Sequence, residues 1–542
     1  MAINGMGNVT RRNFVATAAA VSVAAAGGAT AAGAMESAKA DAPTNAAAAN
    51  DEADPSSYAP ESTEAFDVVV VGAGAAGMSC ATHCAENGLR VALLEKSTVL
   101  GGCSNSVFSA MVRTADDDIA AQVSDWVNDC HWRVDATAIS SLLNNSATAF
   151  TWLEQSWGWA FVKDFNSMGV KNWKIDVPYK DRPALYQAMV DGSGIDVRLS
   201  MTAKALVQND DGRVTGVIAL DETGAARQFN AARAVVIATG GYAANEDMVF
   251  EAFGRRPVCG GLPQNVGEGL RMCWEAGGAK PLNYGMQMPH QTFTTATDKL
   301  TETFDDFPAK YPFLTTYMSG FMNVTKDGRR FRNEGILGSA DAAANSSLFQ
   351  GDFHWTIVSA DQLALLEQGG IAALGATAKL TIPPKYAPEY DLETPWENAT
   401  AVFDQMAQDG TGFKGETPEE LAQAAGMDPE IFAKTLADYD ACCAAGKDTL
   451  CGKDPAYLVP YGAGPYYAVY TYENNLTSWG GVSVDLGYGV LNANGARIPG
   501  LYAIGVEAGS NLYNDTYCGV GVGVCLVYTS GYMSAEDIIA RG

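Results

Sequence analysis

The chain has 542 residues, 47% hydrophobic and 18% charged, with a formal net charge of −27 from 35 basic and 62 acidic side chains. That length predicts more than one domain with a sizeable core. The charge argues against nucleic acid, whose phosphates need a cationic surface, and against docking on anionic lipid; an acidic, solvated surface keeps the chain soluble.

The N-terminus reads as a targeting segment. In "TRRNFVATAAAVSVAAAGGATAAGA", Arg11 and Arg12 precede an Ala/Val-rich run, the pattern of a twin-arginine export signal. "SAKA" offers a small-x-small cleavage site after Ala40, so residues 1–40 are expected to be a signal peptide. The run is mostly alanine and glycine, with little of the bulk that a membrane anchor needs. Residues 41–64 follow as an Ala/Pro/Ser/acidic linker, expected to be disordered. The expected location is extracytoplasmic and envelope-associated, without stable membrane insertion after cleavage.

Order is expected from Phe66. "FDVVVVGAGAAGMSCATHCAENGLRVALLEK" reads as strand, glycine turn, helix and strand, with Val68–Val71 buried on both faces. The helix should run from Ala76 to Asn87, ended by Gly88. "NDDG" at 209–212 signals a hairpin turn, and "AVVIATGG" a buried strand ending in glycines. Residues 285–477 mix aromatic loops with amphipathic helices. Two of these flank "GMDPE", where Asp428 can cap and Pro429 can open the second helix. From 480 the β pattern returns in "GGVSVDLGYGVL" and "GLYAIGVEAG", before a final helix.

Gly72, Gly74 and Gly77 form G-x-G-x-x-G between strand and helix, and Glu95 closes the next strand 18 residues after Gly77. Glycines permit the tight turn and let a pyrophosphate approach the helix N-terminus, while the acid accepts ribose hydroxyls. Three features favour FAD over NAD. Gly101, Gly102 and Ser104 in "EKSTVLGGCS" make a second pyrophosphate loop. Gly240 and Gly241 close "ATGG". Gly505 closes "GLYAIG" ahead of the last helix.

With these motifs the chain resembles the fumarate-reductase-type flavoproteins, with the 3-ketosteroid dehydrogenases as a sister branch, over about residues 65–542. The resemblance implies an α/β fold (α+β overall): a Rossmann-like FAD-binding domain with a parallel sheet at 65–284 and 478–542, interrupted by a mobile capping domain at 285–477. It implies non-covalent FAD. Beside the glycines and Glu95, the expected cofactor contacts include Ala75, Lys96, Ser109, Ala110 and Ala205. Glu268 of "VGEGL" stands for the acid of the family's G-D-G. Gly521 and Val522 stand at the N-terminus of the last helix, whose positive end favours charge on the reduced ring. Glu507 sits one place later than the acid of the family's pattern.

Fumarate-type members protonate an alkene with an arginine five residues after the Asn of "RF-x-NE" and grip the substrate carboxylates with further cationic or histidine groups. In "RRFRNEGILGS", counting five from Asn333 reaches Gly338. The family's histidine before T-x-G-G is Thr477 here, and its last arginine is Tyr517. A dicarboxylate would be desolvated without partners, which costs several kcal/mol per ion. "YCGVG" instead resembles the Y-P-G-x-G of ketosteroid dehydrogenases, with Cys518 in place of proline. By that resemblance the Tyr517 hydroxyl and the Gly521 N–H form an oxyanion hole for a carbonyl conjugated to the alkene. Tyr317 and His290 are the candidate proton donors.

The expected activity is reduction of a C=C conjugated to a carbonyl. The substrate would be an enone or an unsaturated lactone, such as a cardiac-glycoside butenolide, on a bulky apolar body. Electrons would come from a separate membrane-associated donor, cytochrome or quinol-linked. The same site run in reverse would be a 3-ketosteroid dehydrogenase. A fumarate- or cinnamate-type reductase would need cations such as Arg329 or Arg332. A non-catalytic flavin carrier or binding protein is the reading from another class. The 11 cysteines include no C-x-x-C pair and no haem-attachment motif; Cys442, Cys443 and Cys451 are the one local group that leaves an iron–sulfur cluster open. Four scattered histidines, among them His83 and His131 read as structural, predict no metal site.

Overall fold

The computed structural model describes residues 58–107, 109–167, 170–259, 261–283, 286–293, 320–336, 345–351, 353–375, 393, 395–514 and 519–541. The expected signal peptide and most of the expected linker lie outside the described residues. The chain divides into two compact units, crossing between them at Met288/Pro289 and again at Asn474/Asn475.

The larger unit opens with β1 (Ser62–Val71), α1 (Ala75–Glu86) and β2 (Val91–Leu94). Later come α2 (Arg182–Ser193), β3 (Asp196–Arg198), the hairpin of β4 (Thr202–Gln208) and β5 (Val214–Leu220), and β6 (Ala226–Ile237). After the excursion into the second unit, β7 (Gly489–Leu491), β8 (Arg497–Ala503) and α3 (Val522–Arg541) complete it. The sheet order is β7-β8-β6-β1-β2-β3, with the β4–β5 hairpin attached beside β6. Strands β8, β6, β1, β2 and β3 run parallel. Val68, Val69 and Val70 are fully buried, as a parallel strand covered on both faces requires. Strand β1 has β2 on one side and β6 on the other. Its C-terminal turn is therefore a topological switch point, where open α/β sheets bind ligands.

Strand β1 starts at Ser62, earlier than the expected Phe66: Ser62–Ala65 pair with Arg227–Asn230 of β6. The extension alternates between exposed and half-buried. Backbone pairing holds it, so no apolar run announces it. Helix α1 ends as expected, at Asn87 with Gly88 following at φ +83. The 209–212 turn joins β4 to β5, Gly212 at φ +79. Helix α3 lies tight on α1, since a Cβ on Gly531 would stand 2.3 Å from the Ala76 carbonyl oxygen.

In the second unit, Asn323–Val324 pairs with His354–Ser359, and residues 466–471 of the long strand Tyr466–Trp479 pair with both His354–Ser359 and Gly412–Gly415, all antiparallel. Helices Pro418–Ala425 and Pro429–Ala445 flank "GMDPE" as expected. Thr417 caps the first, and the Asp428 carboxylate accepts from the N–H groups of Glu430 and Ile431 to cap the second. Leu421, Phe432 and Leu436 pack with Met322, Trp355 and Ile357. Beside this core, Arg330 contacts Glu334 and Asp448 at 2.8 Å each, and Lys453 lies 3.4 Å from Glu334; all four side chains are nearly inaccessible. Burial opposes the charge on Glu334, but Lys453 and Arg330 outweigh it and hold the carboxyl below its usual range. Among the described residues, no helix is long and apolar enough to cross a membrane.

Candidate functional site: a dinucleotide cavity at the switch point

The C-terminal ends of β1, β2 and β6 open on a cavity whose empty space, mouth included, is about 910 Å³. Every wall comes from the larger unit. The glycines of the first motif hold three different jobs. Gly72, at φ +105, lies against β6: a Cβ there would stand 2.2 Å from the Ala238 oxygen. Gly77 lies against the turn itself, 1.9 Å from the Gly72 oxygen by the same measure. Gly74 faces open space, with nothing within 4 Å of its Cβ position, and it lines the cavity. The first two glycines shape the turn; the third leaves room for what the turn holds.

Glu95, at the end of β2, accepts from the Ala73 N–H at 2.8 Å and the Ser97 N–H at 2.7 Å. Its carboxylate thus ties the glycine turn to its own strand while lining the cavity. Lys96 reaches across to Glu268 at 2.8 and 3.0 Å and also donates to the Gln264 carbonyl. The Ser104 hydroxyl accepts from the Ala75 N–H at 3.2 Å, joining the second glycine loop to the start of α1.

At another wall stands Glu507, 1% exposed. Its Oε1 accepts from the Thr239 hydroxyl at 2.6 Å and the Gly241 N–H at 3.1 Å, whereas Oε2 has no hydrogen-bond partner among the described residues. Burial pushes this carboxyl's pKa up, against the pull of those two donors. The shift of one place along the chain therefore does not take Glu507 from the cavity: a 3-10 turn over Gly505–Asn511 brings it back to the wall.

The cavity brings together Gly72, Gly74, Ala75, Glu95, Lys96, Gly102, Ser104, Gly240, Glu268, Gly505 and Glu507 from the expected set. Other expected residues lie outside its lining. Gly77 and Gly241 act through packing; a Cβ on Gly241 would meet the Ser478 hydroxyl at 2.2 Å. Gly101 adopts φ +98 and packs on Tyr186. Ala205 is buried within β4. Ser109, Ala110, Gly521 and Val522 form a separate junction. There the Met111 N–H donates to the Gly521 oxygen at 3.0 Å, and Asn172 bridges the Val520 oxygen and the Ser109 hydroxyl. Residues that sequence reasoning missed also line the cavity, chiefly Cys103, Thr239, Gln264 and Asn265. They are polar or small residues in a short 3-10 turn or in irregular segments, without a periodic signal. Thr477 lines it too, its hydroxyl donating to the Ser478 carbonyl at 3.2 Å.

The donor set fits FAD. The open Cβ direction of Gly74, the acid at the end of β2 and the unpartnered Oε2 of Glu507 match a dinucleotide with a pyrophosphate and hydroxyl-bearing linkers. Tyr517, Cys518 and Tyr317 lie outside the described residues, as does Gly338. His290 falls on the strand Met286–Phe293, and its side chain lies outside the described residues. His83 is structural, stacked on Tyr532 at 4.3 Å and bonded to Glu536. His131 adopts φ 53 in a turn after the helix Ile119–Asp129. His354 is fully buried in the second unit, its Nε2 3.4 Å from Arg332. Arg332 donates to Asn323 and Ser347, and Arg329 pairs with Asp327. Among the described residues, no group of three His, Cys, Asp or Glu side chains is placed to hold a metal ion.

A parallel sheet with a glycine turn, a strand-end acid and a cavity at the switch point defines a dinucleotide-binding flavoprotein. The chain belongs to the FAD binding domain family, whose model matches residues 67–524, and it is an FAD-dependent oxidoreductase. It is 28% identical over 484 residues to the vinyl phenol reductase of Lactiplantibacillus plantarum, covering 86% of this chain and 94% of that one. It is 28% identical over 479 residues to a probable fumarate reductase of Shewanella frigidimarina, covering 83% of this chain and 71% of that one. In fold it is similar to the 3-ketosteroid delta1-dehydrogenase of Sterolibacterium denitrificans, with a TM-score of 0.68 at 16% identity over 88% of this chain and all of that one. These findings bear out the expected superfamily, fold class and cofactor, and place the chain among flavoproteins that act on C=C bonds.

Proposed function

We propose that this chain is an exported reductase that adds hydride and a proton across a C=C conjugated to a neutral carbonyl, an enone or an unsaturated lactone such as a cardiac-glycoside butenolide. The observation that carries the reading is the lack of cations where an anionic substrate needs them. Gly338 occupies the family position of the proton-donating arginine, Thr477 and Tyr517 occupy positions of carboxylate-gripping groups, and Thr477 brings only a hydroxyl to the cavity wall. The two arginines that could have substituted are committed elsewhere, Arg329 to Asp327 and Arg332 to Asn323 and Ser347.

Bound FAD supplies the hydride. The protein's part is to hold and polarise. Gly72–Ala75, Glu95, Lys96, Ser104, Glu268 and Glu507 would hold the cofactor. The Tyr517 hydroxyl and the Gly521 N–H would receive the substrate carbonyl oxygen and stabilise the negative charge that grows on it. Gly521 stands at φ +91, a conformation that a side chain would strain. Tyr317 or His290 would deliver the proton. Electrons would arrive from a separate membrane-associated cytochrome or quinol-linked donor.

The test is anaerobic. The purified protein is reduced chemically, and its flavin spectrum is followed as digoxin, a 4-ene-3-ketosteroid, fumarate and a cinnamate are added singly. Rapid reoxidation by digoxin or the enone is the expected result. Reoxidation only by fumarate or cinnamate would replace this reading with a carboxylate reductase.

A further inference from the structure

Among the described residues, the larger unit contains a buried cation without a counter-charge. Arg182, the first residue of α2, is 1% exposed. Its guanidinium donates to the carbonyls of Ser104 (3.0 Å), Val107 and Val177 (3.3 Å), and stacks over the Tyr179 ring at 4.4 Å. None of these partners is charged, and among the described residues no carboxylate comes within ion-pair distance. One turn along α2, Tyr186 shares a 2.7 Å hydrogen bond with Tyr528 of α3. Burial pushes the Tyr186 phenol up to about 12 and raises that of Tyr528 well above its ordinary value, so both are neutral at ordinary pH and cannot supply the missing charge. Arginine does not escape by losing its proton. A lone buried charge is strongly unfavourable, so a counter-ion is wanted.

The surroundings indicate where it comes from. The carbonyls that Arg182 holds belong to the second glycine loop. Gly102–Ser106 is a 3-10 turn, and Gly102, Cys103 and Ser104 line the cavity. Ser104 faces two ways: its carbonyl accepts from Arg182, and its hydroxyl binds the N–H of Ala75 on the glycine turn. Tyr186 braces the same loop, its ring lying 2.7 Å from the Cβ position of Gly101. One residue of loop thus separates the guanidinium from the place where the dinucleotide's phosphates belong.

We propose that Arg182 is the buried counter-charge of the FAD pyrophosphate, acting through the 102–106 turn. It touches no phosphate oxygen; it is a positioning and charge-balancing residue that completes the second glycine loop. The inference rests on the assignment of FAD to this cavity. A wild-type protein that is yellow and releases FAD on heating establishes that assignment separately from the variants below.

Two substitutions separate charge from scaffolding. Arg182→Gln keeps donors for the loop carbonyls and removes the charge. Arg182→Lys keeps the charge and loses the planar fork. Apoproteins are titrated with FAD at neutral pH, following flavin fluorescence and the rise in melting temperature that saturating FAD produces. The expected result is an FAD dissociation constant raised on the order of tenfold or more in Arg182→Gln, with Arg182→Lys near wild type, and a melting-temperature rise that shrinks only in Arg182→Gln. Equal losses in both variants, or a larger loss in Arg182→Lys, would overturn the proposal and leave Arg182 a scaffold for the loop. If Arg182→Gln does not fold, Arg182→Lys alone decides: near-wild-type affinity sustains the charge role, and a tenfold loss refutes it.

Discussion

The two units solve the problem of holding a site in opposite ways. The larger unit builds its cavity from backbone: glycine turns, strand ends and a few carboxylates that accept from N–H groups. Its core beneath is apolar, with β1 valines fully buried. The second unit builds around charge, with Arg330, Glu334, Asp448 and Lys453 sealed beside the aromatic core. Backbone cradles tolerate almost no added atoms, because the ligand must take the room that a side chain would fill. A buried ion network tolerates almost no lost partner, because each group left behind is an uncompensated charge.

That contrast can be broken in order of expected effect. Gly74→Val should abolish FAD retention while the apoprotein still folds. Gly74 has φ −73, and its Cβ position meets no protein atom. Flavin absorbance per protein and circular dichroism check this; a folded yellow variant would refute the cradle. Glu334→Gln should destabilise the second unit by about 3–5 kcal/mol, read as an earlier urea transition of that unit by hydrogen exchange, with FAD still bound. An unchanged transition would show that the network is not what holds the unit. Tyr517→Phe should cut turnover by about 10²–10³-fold, the loss of one oxyanion donor; unchanged turnover would remove Tyr517 from the reaction.

The smallest effects are on pH dependence, and they run in opposite directions in the two units. Burial, reinforced by Arg332, holds the pKa of His354 well below 6.5, so His354 stays neutral in the fold. Its contribution is present above about pH 6.5 and is lost as pH falls below that value, because the unfolded chain then takes the proton. Burial raises the pKa of Glu507 above its ordinary 4.5. Its contribution is full below that value and is lost as pH rises through the folded-state pKa. Melting curves of the apoprotein against pH should lose the fall in stability below about pH 6.5 in His354→Gln and the fall in stability above about pH 4.5 in Glu507→Gln. A variant with the wild-type profile would show that its residue does not titrate across unfolding.

Much of this was legible where the signal is local. The glycine motif with Glu95 marked the cofactor turn, "NDDG" marked the hairpin, and Asp428 before Pro429 marked a helix start, since each depends on a few adjacent residues. What escaped depended on distance. The Ser62 start of β1 needs β6 beside it. The Lys96–Glu268 bridge spans 172 positions of chain. The Glu507 offset looked like a departure until a 3-10 turn returned the carboxyl to the cavity wall. Arg182 had no motif at all; its meaning lies in what does not surround it.

The amino-acid sequence by itself determined that a strand–glycine-turn–helix unit would bind a dinucleotide, and that the family's proton-donor and carboxylate-gripping positions hold Gly338, Thr477 and Tyr517. Those features rest on local backbone geometry and on side-chain identity, both written in order along the chain. Only the tertiary structure decided which glycines shape the turn and which one opens on the cavity, that Arg329 and Arg332 are already engaged, and that Arg182 stands buried behind the second loop. Those facts depend on burial and on partners distant in sequence, and charge balance exists only once the chain has closed around it.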